Sequence, residues 1–463
     1  MSSLPAENTS FSNDRERALE LLKRYGWNAT SFQSLEPGIS YWFDSTGAAC
    51  IAYLDTGAAW VVAGAPIAPP ERFAELVEQL IAAAGEAGRR VCFFATEQRF
   101  AGAVPLCSVP IGEQPIWDPS EWPEALRGSR SLREQLRRGR AKGVSVRQVS
   151  PEELAEPDPP VRRAVEVLIE GWLAHRAMAP MGFLVQVYPF DFAAERRILV
   201  AELGGEVVGF LAMVPVYARN GWLLEDLVRT AASPNGTAEL LIDGAMRLAA
   251  AGGSRYVTLG LAPLSGRVGW RLRLARALGS PLYSFAGIRA FKARLRPGHW
   301  EPIYLSYPAG QSRTLTFYDV LAAFAPGGLL RFGMETLLRR PELPVRLLAL
   351  LLIPWTLLLA TAETARWFPA LWVQAGWVVF DAGLLAGLFA LGARWRPSLA
   401  TVLASLISAD ALLTLLQVVV YNLPRVRGPL DWLVLAVALA GPTLAALFLW
   451  SVLGRSGSAR YDV

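Results

Sequence analysis

The chain has 463 residues, 53% of them hydrophobic, and 45 lysines and arginines against 40 aspartates and glutamates, for a net charge of +5. Two histidines (His175, His299) and three cysteines without ligand spacing (Cys50, Cys92, Cys107) exclude a histidine-rich metal centre, and no metal is expected. The odd number of thiols suits a reducing compartment, where they would be buried.

Residues 1–22 are polar and mixed in charge, without the apolar run of a cleavable signal. A helix is expected over 15–25, then short strands at 41–43, 49–54 and 58–63, divided by Asp-Ser-Thr-Gly and Asp-Thr-Gly turns. The Ala65-Pro66 turn leads into a helix over 71–87, with Phe73, Leu76, Val77, Leu80 and Ile81 at helical spacing, and 91–95 reads as a buried strand. A helix over 132–142 joins this run to a second one of the same plan. There a helix at 161–176 precedes strands at 197–202, 207–215 and 221–227. A Pro234-Asn235-Gly236 turn, a helix that Thr237 is placed to cap, and a strand at 256–261 complete it. Helix, antiparallel strands, helix, strand is the order of an N-acyltransferase-type (GNAT-like) α+β unit. Two such units in tandem are expected, at 12–150 and 151–308, the second of them catalytic.

The strand end at 225–229 carries Glu225, Asp226 and Arg229, and the next helix has Glu239 in its first turn. Carboxylates and an arginine facing a helix N-terminus suit a small zwitterionic or cationic group. A coenzyme A enzyme of this fold places a glycine-rich diphosphate loop there. Residues 231–237 keep one glycine, and Pro234 removes a backbone donor, which weakens the case for a thioester donor.

Two arginine-rich segments are candidates to hold phosphates. Arg127, Arg130, Arg133, Arg137, Arg138, Arg140, Lys142 and Arg147 face a single acid, Glu134; a solvated face explains this run equally well. Residues 267–296 hold Arg267, Arg271, Arg273, Arg276, Arg289, Lys292, Arg294 and Arg296 with no acid at all.

Beyond 308 the composition changes. Phe317, Val320, Leu321, Phe324, Leu329, Leu330 and Phe332 mark an amphipathic linker over 309–343, expected to lie on a bilayer. Four apolar stretches follow at 345–362, 368–391, 399–421 and 432–453, each long enough to cross a hydrocarbon core of about 30 Å. Trp367, Trp372, Trp395, Tyr421 and Trp432 sit near their ends. One side of the membrane receives Arg331, Arg339, Arg340, Arg346, Arg394, Arg396, Arg455 and Arg460, the other Arg366, Arg425 and Arg427, which puts the N-terminal region and both termini in the cytoplasm. Asp381 and Asp410 fall near the middle of their spans, where helix–helix association or hydrogen bonds to Ser405, Ser408 or Gln417 are the structural options.

The runs WLAHRAMAPMGF (172–183), GEVVGFLAMVPVY (205–217), EDLVRTAASPNGTAELLI (225–242), VTLGLAPLSG (257–266) and LYSFAGIRAFKARLRPGHWEPIYL (282–305) occur in order. Together they resemble the C-terminal catalytic domain of phosphatidylglycerol lysyltransferases, the multiple-peptide-resistance-factor family, over about residues 12–308. The resemblance implies a tandem acyltransferase fold. It implies transfer of an amino acid, lysine or alanine, from aminoacyl-tRNA to the headgroup hydroxyl of a membrane glycerolipid such as phosphatidylglycerol. Its partners would be aminoacyl-tRNA, an anionic lipid and the bilayer, with no further cofactor. Asp226 and Glu239 would then receive the ammonium of the amino acid, with Arg229 and Asn235 completing the catalytic set. Arg176, Arg289, Lys292 and Glu301 would bind substrate, Arg289 and Lys292 through phosphates; Trp172 and Trp300 are expected to pack.

Two features depart from the family pattern. The KxKF-like run stands as Lys292-Ala293-Arg294-Leu295, and the four apolar stretches follow the catalytic part, whereas full-length members place many before it, so no flippase activity is expected. The other readings of the same residues are a coenzyme A-dependent or peptidoglycan-precursor transferase, and a lipid- or tRNA-binding protein without catalysis.

Overall fold

Twelve strands form one continuous sheet that runs through both expected halves of the chain. The computed structural model describes residues 7–156, 159–176, 178–280 and 283–458. These form two compact units, the first running to Arg176 and resuming at Pro180–Leu329, the second taking the rest.

In the first unit the strands are β1 (Ser40–Phe43), β2 (Cys50–Asp55), β3 (Ala59–Ala63), β4 (Arg90–Thr96), β5 (Cys107–Trp117), β6 (Ser145–Gln148), β7 (Arg197–Leu203), β8 (Glu206–Val216), β9 (Gly221–Arg229), β10 (Tyr256–Thr258), β11 (Ala262–Pro263) and β12 (His299–Tyr307). Their order is β1-β2-β3-β4-β12-β5-β10-β9-β8-β7-β6, with β11 beside β5. The main helices are α1 (Glu7–Tyr25), α2 (Phe73–Glu86), α3 (Arg130–Ala141), α4 (Pro160–Ala174), α5 (Thr237–Ala251), α6 (Trp270–Gly279), α7 (Phe285–Arg294) and α8 (Arg313–Phe324). Two parallel pairs repeat the plan: β3 with β4, joined through α2, and β9 with β10, joined through α5. This is the tandem acyltransferase arrangement expected from the element order.

Each half buries helices on both faces of the sheet. In the second half α5 and α3 cover one face, where Leu240, Leu241 and Met246 meet Leu211, Met213 and Leu224. α4 covers the other, where Val165 and Leu168 meet Val200, Phe210 and Val228. Burying each such side chain contributes about 1.5–3 kcal/mol. In the first half α2 and α8 play the same parts.

Three features of the structure bear on the reading of the sequence. The domain boundaries 12–150 and 151–308 cut across the pairing, because β6 pairs with β7 and β12 returns to lie between β4 and β5. Neither β5 nor β12 is legible as a strand, since Pro110, Pro115 and Pro302 interrupt them; both tolerate proline beside register shifts in the ladder. The linker over 309–343 is not one amphipathic surface helix. α8 packs Val320 and Ala323 into the core, with Phe317 and Phe324 against the same cluster, and Asp319 forms a buried ion pair with Arg90 at 2.6 Å. Of the three thiols, Cys50 and Cys92 are buried and Cys107 is exposed.

The second unit begins its helical part with α9 (Leu329–Arg339), which exposes Leu330, Met334 and Leu337, and continues with α10 (Glu342–Thr361), α11 (Leu371–Ala393), α12 (Pro397–Gln417) and α13 (Pro429–Ser458). These last four helices are long and apolar enough to cross a membrane, the third after its extension to Arg425. Their shared core contains Ala349, Leu388, Leu403 and Leu449. Gln374 donates to the Leu359 and Ala362 carbonyls at 2.8 and 2.9 Å, and Arg366 pairs with Asp431 at 2.6 Å while its Nε has no partner among the described residues. Thr356 donates to Asp381 at 3.5 Å and Thr414 to Asp410 at 3.2 Å. Ser408 and Gln417 bond elsewhere, to Ala404 and Trp450 and to Trp367 and Trp377. Of the arginines used to orient the chain, Arg460 lies outside the described residues.

Candidate active site

A bulge in β9 builds the site. Ala212 faces Asp226 and Met213 faces Leu224, so Glu225 is the extra residue between them. Without it, Asp226 would share the face of Trp222 and Leu224 and point toward α5; the bulge reverses this and turns Glu225 and Asp226 to the opposite face. There they meet Glu36, which follows the turn Phe32–Leu35.

All three carboxylates are buried, and Arg196 is the guanidinium among them, paired with Glu225. Arg196 is held by donation to the Asp191 carbonyl at 2.7 Å and lies over the Phe32 ring at 5.1 Å. Arg15 pairs with Asp191 at 2.7 Å and caps the Leu35 carbonyl, which fixes the turn carrying Glu36. Oε1 of Glu225 and Oδ2 of Asp226 have no hydrogen-bond partner among the described residues, and Glu36 is approached by the Leu184 backbone without a well-formed hydrogen bond. Burial, reinforced by the charges of Glu225 and Asp226, pushes Glu36 up to about 9. Asp226 is raised well above the usual carboxylate range by burial and by Glu225, with Arg196 opposing. Burying so many unmatched acceptors is expensive unless a cation fills the space between them. Beside this pocket Phe183 and Leu184 are buried with φ of 47° and 62°, successive left-handed residues of the strained kind found at ligand clamps, and Gln33 donates to the Leu184 carbonyl at 2.9 Å.

This buried cluster lies on the strand that parts from its neighbour. β9 and β10 pair only from Gly221–Leu223 to Tyr256–Thr258; β9 then continues along β8 to Arg229. The chain beyond β10 turns away, ending the strand short of the expected residue 261. Its next three carbonyls, Leu259, Gly260 and Leu261, accept from Lys292 Nζ at 2.7, 2.8 and 2.9 Å. Glu225 and Asp226 thus lie on β9 beyond the divergence, and Lys292 anchors the segment that follows β10. Lys292 is 7% exposed, so its expected phosphate contact is corrected: all three ammonium protons are committed to backbone.

The remaining expected residues are distributed as follows. Glu239 lies on the α5 face with Phe291, Arg294 and Leu295, so the expected cradle of Asp226 with Glu239 is not formed; the β9 bulge is the cause. Arg229 is exposed and donates to Ser233 at 3.0 Å, shaping the turn, and Asn235 is exposed within it. Thr237 does not cap α5: Gly236 stands at the N-cap with φ 100°, and Thr237 Oγ1 donates back to the Pro234 carbonyl at 2.7 Å. Arg176 stacks on Trp172 at 4.2 Å. Arg289 pairs with Glu113 at 2.9 Å and lies over Trp300 at 4.5 Å. Glu301 pairs with Arg219 at 3.1 Å, which also binds Glu97 at 3.0 Å; Gln114 bridges both acids, so Glu301 is committed to this network in place of a substrate. In the first arginine run, Glu134 pairs with Arg137 and Arg138, which hold its carboxyl down at about 2, and Arg140 pairs with Asp243.

α3 also occupies the approach to the turn before α5. A Cβ on Gly236 would stand 2.2 Å from the Gln135 carbonyl, and one on Gly139 3.4 Å from Gly236. Gly236→Ala is therefore expected to destabilise the chain by roughly 2–3 kcal/mol, through strain at positive φ and a backbone clash, read as a lower thermal midpoint.

The pocket residues Glu36 and Arg196 were invisible in the sequence: they come from a turn and a strand edge far from β9, with no spacing to link them. Taken together, the two βαβ repeats and a buried charged cluster beside the strand divergence define a tandem acyltransferase-like protein, here continued by four apolar helices long enough to cross a membrane. Residues 19–307 match the family described as phosphatidylglycerol lysyltransferase, C-terminal, and the chain belongs to it. It is 25% identical over 326 residues to the phosphatidylglycerol lysyltransferase of Bacillus subtilis (strain 168), covering 66% of this chain and 36% of that protein. To the lysylphosphatidylglycerol biosynthesis bifunctional protein LysX of Mycobacterium sp. (strain JLS) it is 26% identical over 259 residues, 51% of this chain and 22% of that one. The chain thus spans little more than a third of the longest-matched curated relative. Among solved structures, the C-terminal domain of a candidate lysylphosphatidylglycerol synthetase from Agrobacterium fabrum aligns with a TM-score of 0.59 at 26% identity, covering 69% of this chain and 100% of that one. L-PGS from Bacillus licheniformis aligns at 0.56 and 22%, covering 69% and 97%, and shares the fold.

Proposed function

We propose that this chain is an aminoacyltransferase that moves lysine from aminoacyl-tRNA to the glycerol hydroxyl of phosphatidylglycerol. The observation that carries this reading is the buried pocket of Glu36, Glu225 and Asp226 with one guanidinium, Arg196. Ionised, it holds two negative charges in excess, and a lysyl ester brings two ammonium groups. Alanine brings one, so the pocket favours lysine over alanine. The names of the relatives support phosphatidylglycerol as acceptor.

The reaction is a transesterification. The lipid hydroxyl oxygen bonds to the aminoacyl carbonyl carbon, the bond to the ribose oxygen breaks, and the hydroxyl proton passes to the departing ribose. An aminoacyl ester is already activated, so the chain chiefly orients the carbonyl against the lipid and anchors the amino acid by charge. α3 packed on the turn before α5 favours an aminoacyl donor over a coenzyme A thioester, because the diphosphate would need that space. The exposed arginines of α3 and of residues 267–296 suit tRNA or lipid phosphates. Arg176, at the end of α4 against Trp172, is the substrate-binding candidate that keeps a free guanidinium edge. The arginine bias of the loops supports an inner-membrane protein with its catalytic part and both termini in the cytoplasm, where charged tRNA is found.

Membranes containing the full chain, given lysyl-tRNA and phosphatidylglycerol, should form a ninhydrin-positive lipid, and RNase should abolish it. A product that survives RNase and requires coenzyme A overturns the donor; alanyl-tRNA used as well as lysyl-tRNA overturns the amino acid.

A further inference from the structure

The surface formed by α6 and α8 takes no part in the charged cluster, yet it is unlike the rest of the first unit. α6 exposes Trp270, Leu274 and Leu278, at 63%, 52% and 73% of their surface. Their i, i+4, i+8 spacing lines them along one stripe, while Leu272 turns inward to the core. Arg271 and Arg273 flank the stripe on its two sides and Arg267 precedes the helix; all three are exposed, and among the described residues none has an ion-pair partner. α8 extends the patch with exposed Leu315, Tyr318 and Leu321. The two helices are neighbours, since Val268 and Leu272 share a core cluster with Val320 and Ala323, and a side chain at Gly269 would reach within 3.8 Å of Arg313.

An apolar stripe with unmatched arginines on both flanks matches an anionic bilayer, whose acyl boundary takes the stripe and whose phosphates take the guanidinium groups. Residues 325–341 join α8 to the first apolar span, a tether of at most roughly 60 Å, so α8 can reach the bilayer that the span crosses. We infer that α6, with the outer face of α8, is an interfacial docking element that beds on the anionic membrane surface. Residues 259–266 lead into α6 and α7 follows it, so docking sets the Lys292-anchored segment at headgroup depth. The inference stands apart from the acidic pocket and from the amino acid it takes.

The test uses the full chain in lipid nanodiscs, with a Cys107→Ser background and an environment-sensitive label at Leu274→Cys or, as a control on α4, at exposed Val167→Cys. In discs containing phosphatidylglycerol, doxyl-labelled lipid should quench the Leu274 label about threefold more than the Val167 label. High salt, or discs of phosphatidylcholine alone, should cut that difference, and replacing Arg267, Arg271 and Arg273 together by alanine should remove the preference for phosphatidylglycerol. Equal quenching of the two labels overturns the inference. Iodide then separates the reasons: a Leu274 label open to iodide stands in water, and one shielded from both quenchers lies under protein, a second copy or another partner.

Discussion

Asp226→Asn should lower kcat/KM for lysyl transfer by about 10²- to 10³-fold, because on the proposed function it removes the buried carboxylate that faces the substrate's ammonium, and losing one side of such a pair costs on the order of 3–5 kcal/mol. Glu239→Gln, on the opposite face of the sheet, stays within about tenfold of the unaltered chain, as expected for a residue outside the cluster. A steady-state assay with lysyl-tRNA and phosphatidylglycerol vesicles compares the two. Full activity in Asp226→Asn, or equal losses in both variants, removes the pocket from the mechanism. Glu36 adds a pH signature. Burial and its acidic neighbours push it up to about 9, so without substrate it is protonated at neutral pH. An ammonium binds the ionised form, so affinity for the lysyl side-chain ammonium should climb as pH rises from 7, until the α-ammonium, ordinarily near 8, gives up its own proton, and Glu36→Gln should flatten that rise.

The same shift has a stability consequence of definite sign. A carboxyl raised from 4.5 to about 9 on folding gives stability that is fully present below 4.5 and lost as pH rises toward 9. At pH 7 the penalty is on the order of 3 kcal/mol, from about 1.4 kcal/mol per unit. Glu36→Gln should therefore raise the thermal midpoint at pH 8 while lowering transfer. On the proposed function, binding at this cluster is maintained against stability.

How much of this was legible beforehand depends on the kind of signal. Element order and hydrophobic spacing give the two GNAT-like runs and the four apolar helices, because period and length are local properties. β5 and β12 escape, since Pro110, Pro115 and Pro302 read as breaks when the neighbouring strands that accommodate them are unknown. Glu225 and Asp226 stand out as charges ending an apolar strand, but which way they face is decided by one bulge, and a single extra residue reverses every assumption of alternation. Glu239 looks like their partner only because it is close in sequence. Glu36 and Arg196, their neighbours in space, carry no such hint. Lys292 lies in a recognisable run, while its role depends on three carbonyls supplied by a loop more than thirty residues earlier in the chain.

Lys292→Met removes the only donor offered to those carbonyls by this side chain and replaces it with an apolar group of similar length. Three part-buried acceptors lose their partner, at about 1 kcal/mol each for groups that water can still reach, so the variant should lose roughly 3 kcal/mol of stability. Burial alone pushes the Lys292 ammonium down to about 7; the carbonyl cage is what holds its proton. A lysine lowered on folding binds fewer protons than in the unfolded chain between 7 and 10.5, so its contribution to stability rises with pH across that window. The gap in thermal midpoint between the unaltered chain and Lys292→Met should accordingly widen from pH 7 to 10. Activity separates the two roles assigned to this residue. A lysine that positions the segment after β10 should, when lost, lower kcat at saturating tRNA and leave the salt dependence of tRNA binding as it was. A lysine that grips phosphate should instead raise KM for tRNA and reduce the salt slope by about one. If Lys292→Met changes KM and salt slope with kcat intact, the lysine must leave its carbonyls to reach the substrate, and the anchored segment does not describe the working enzyme.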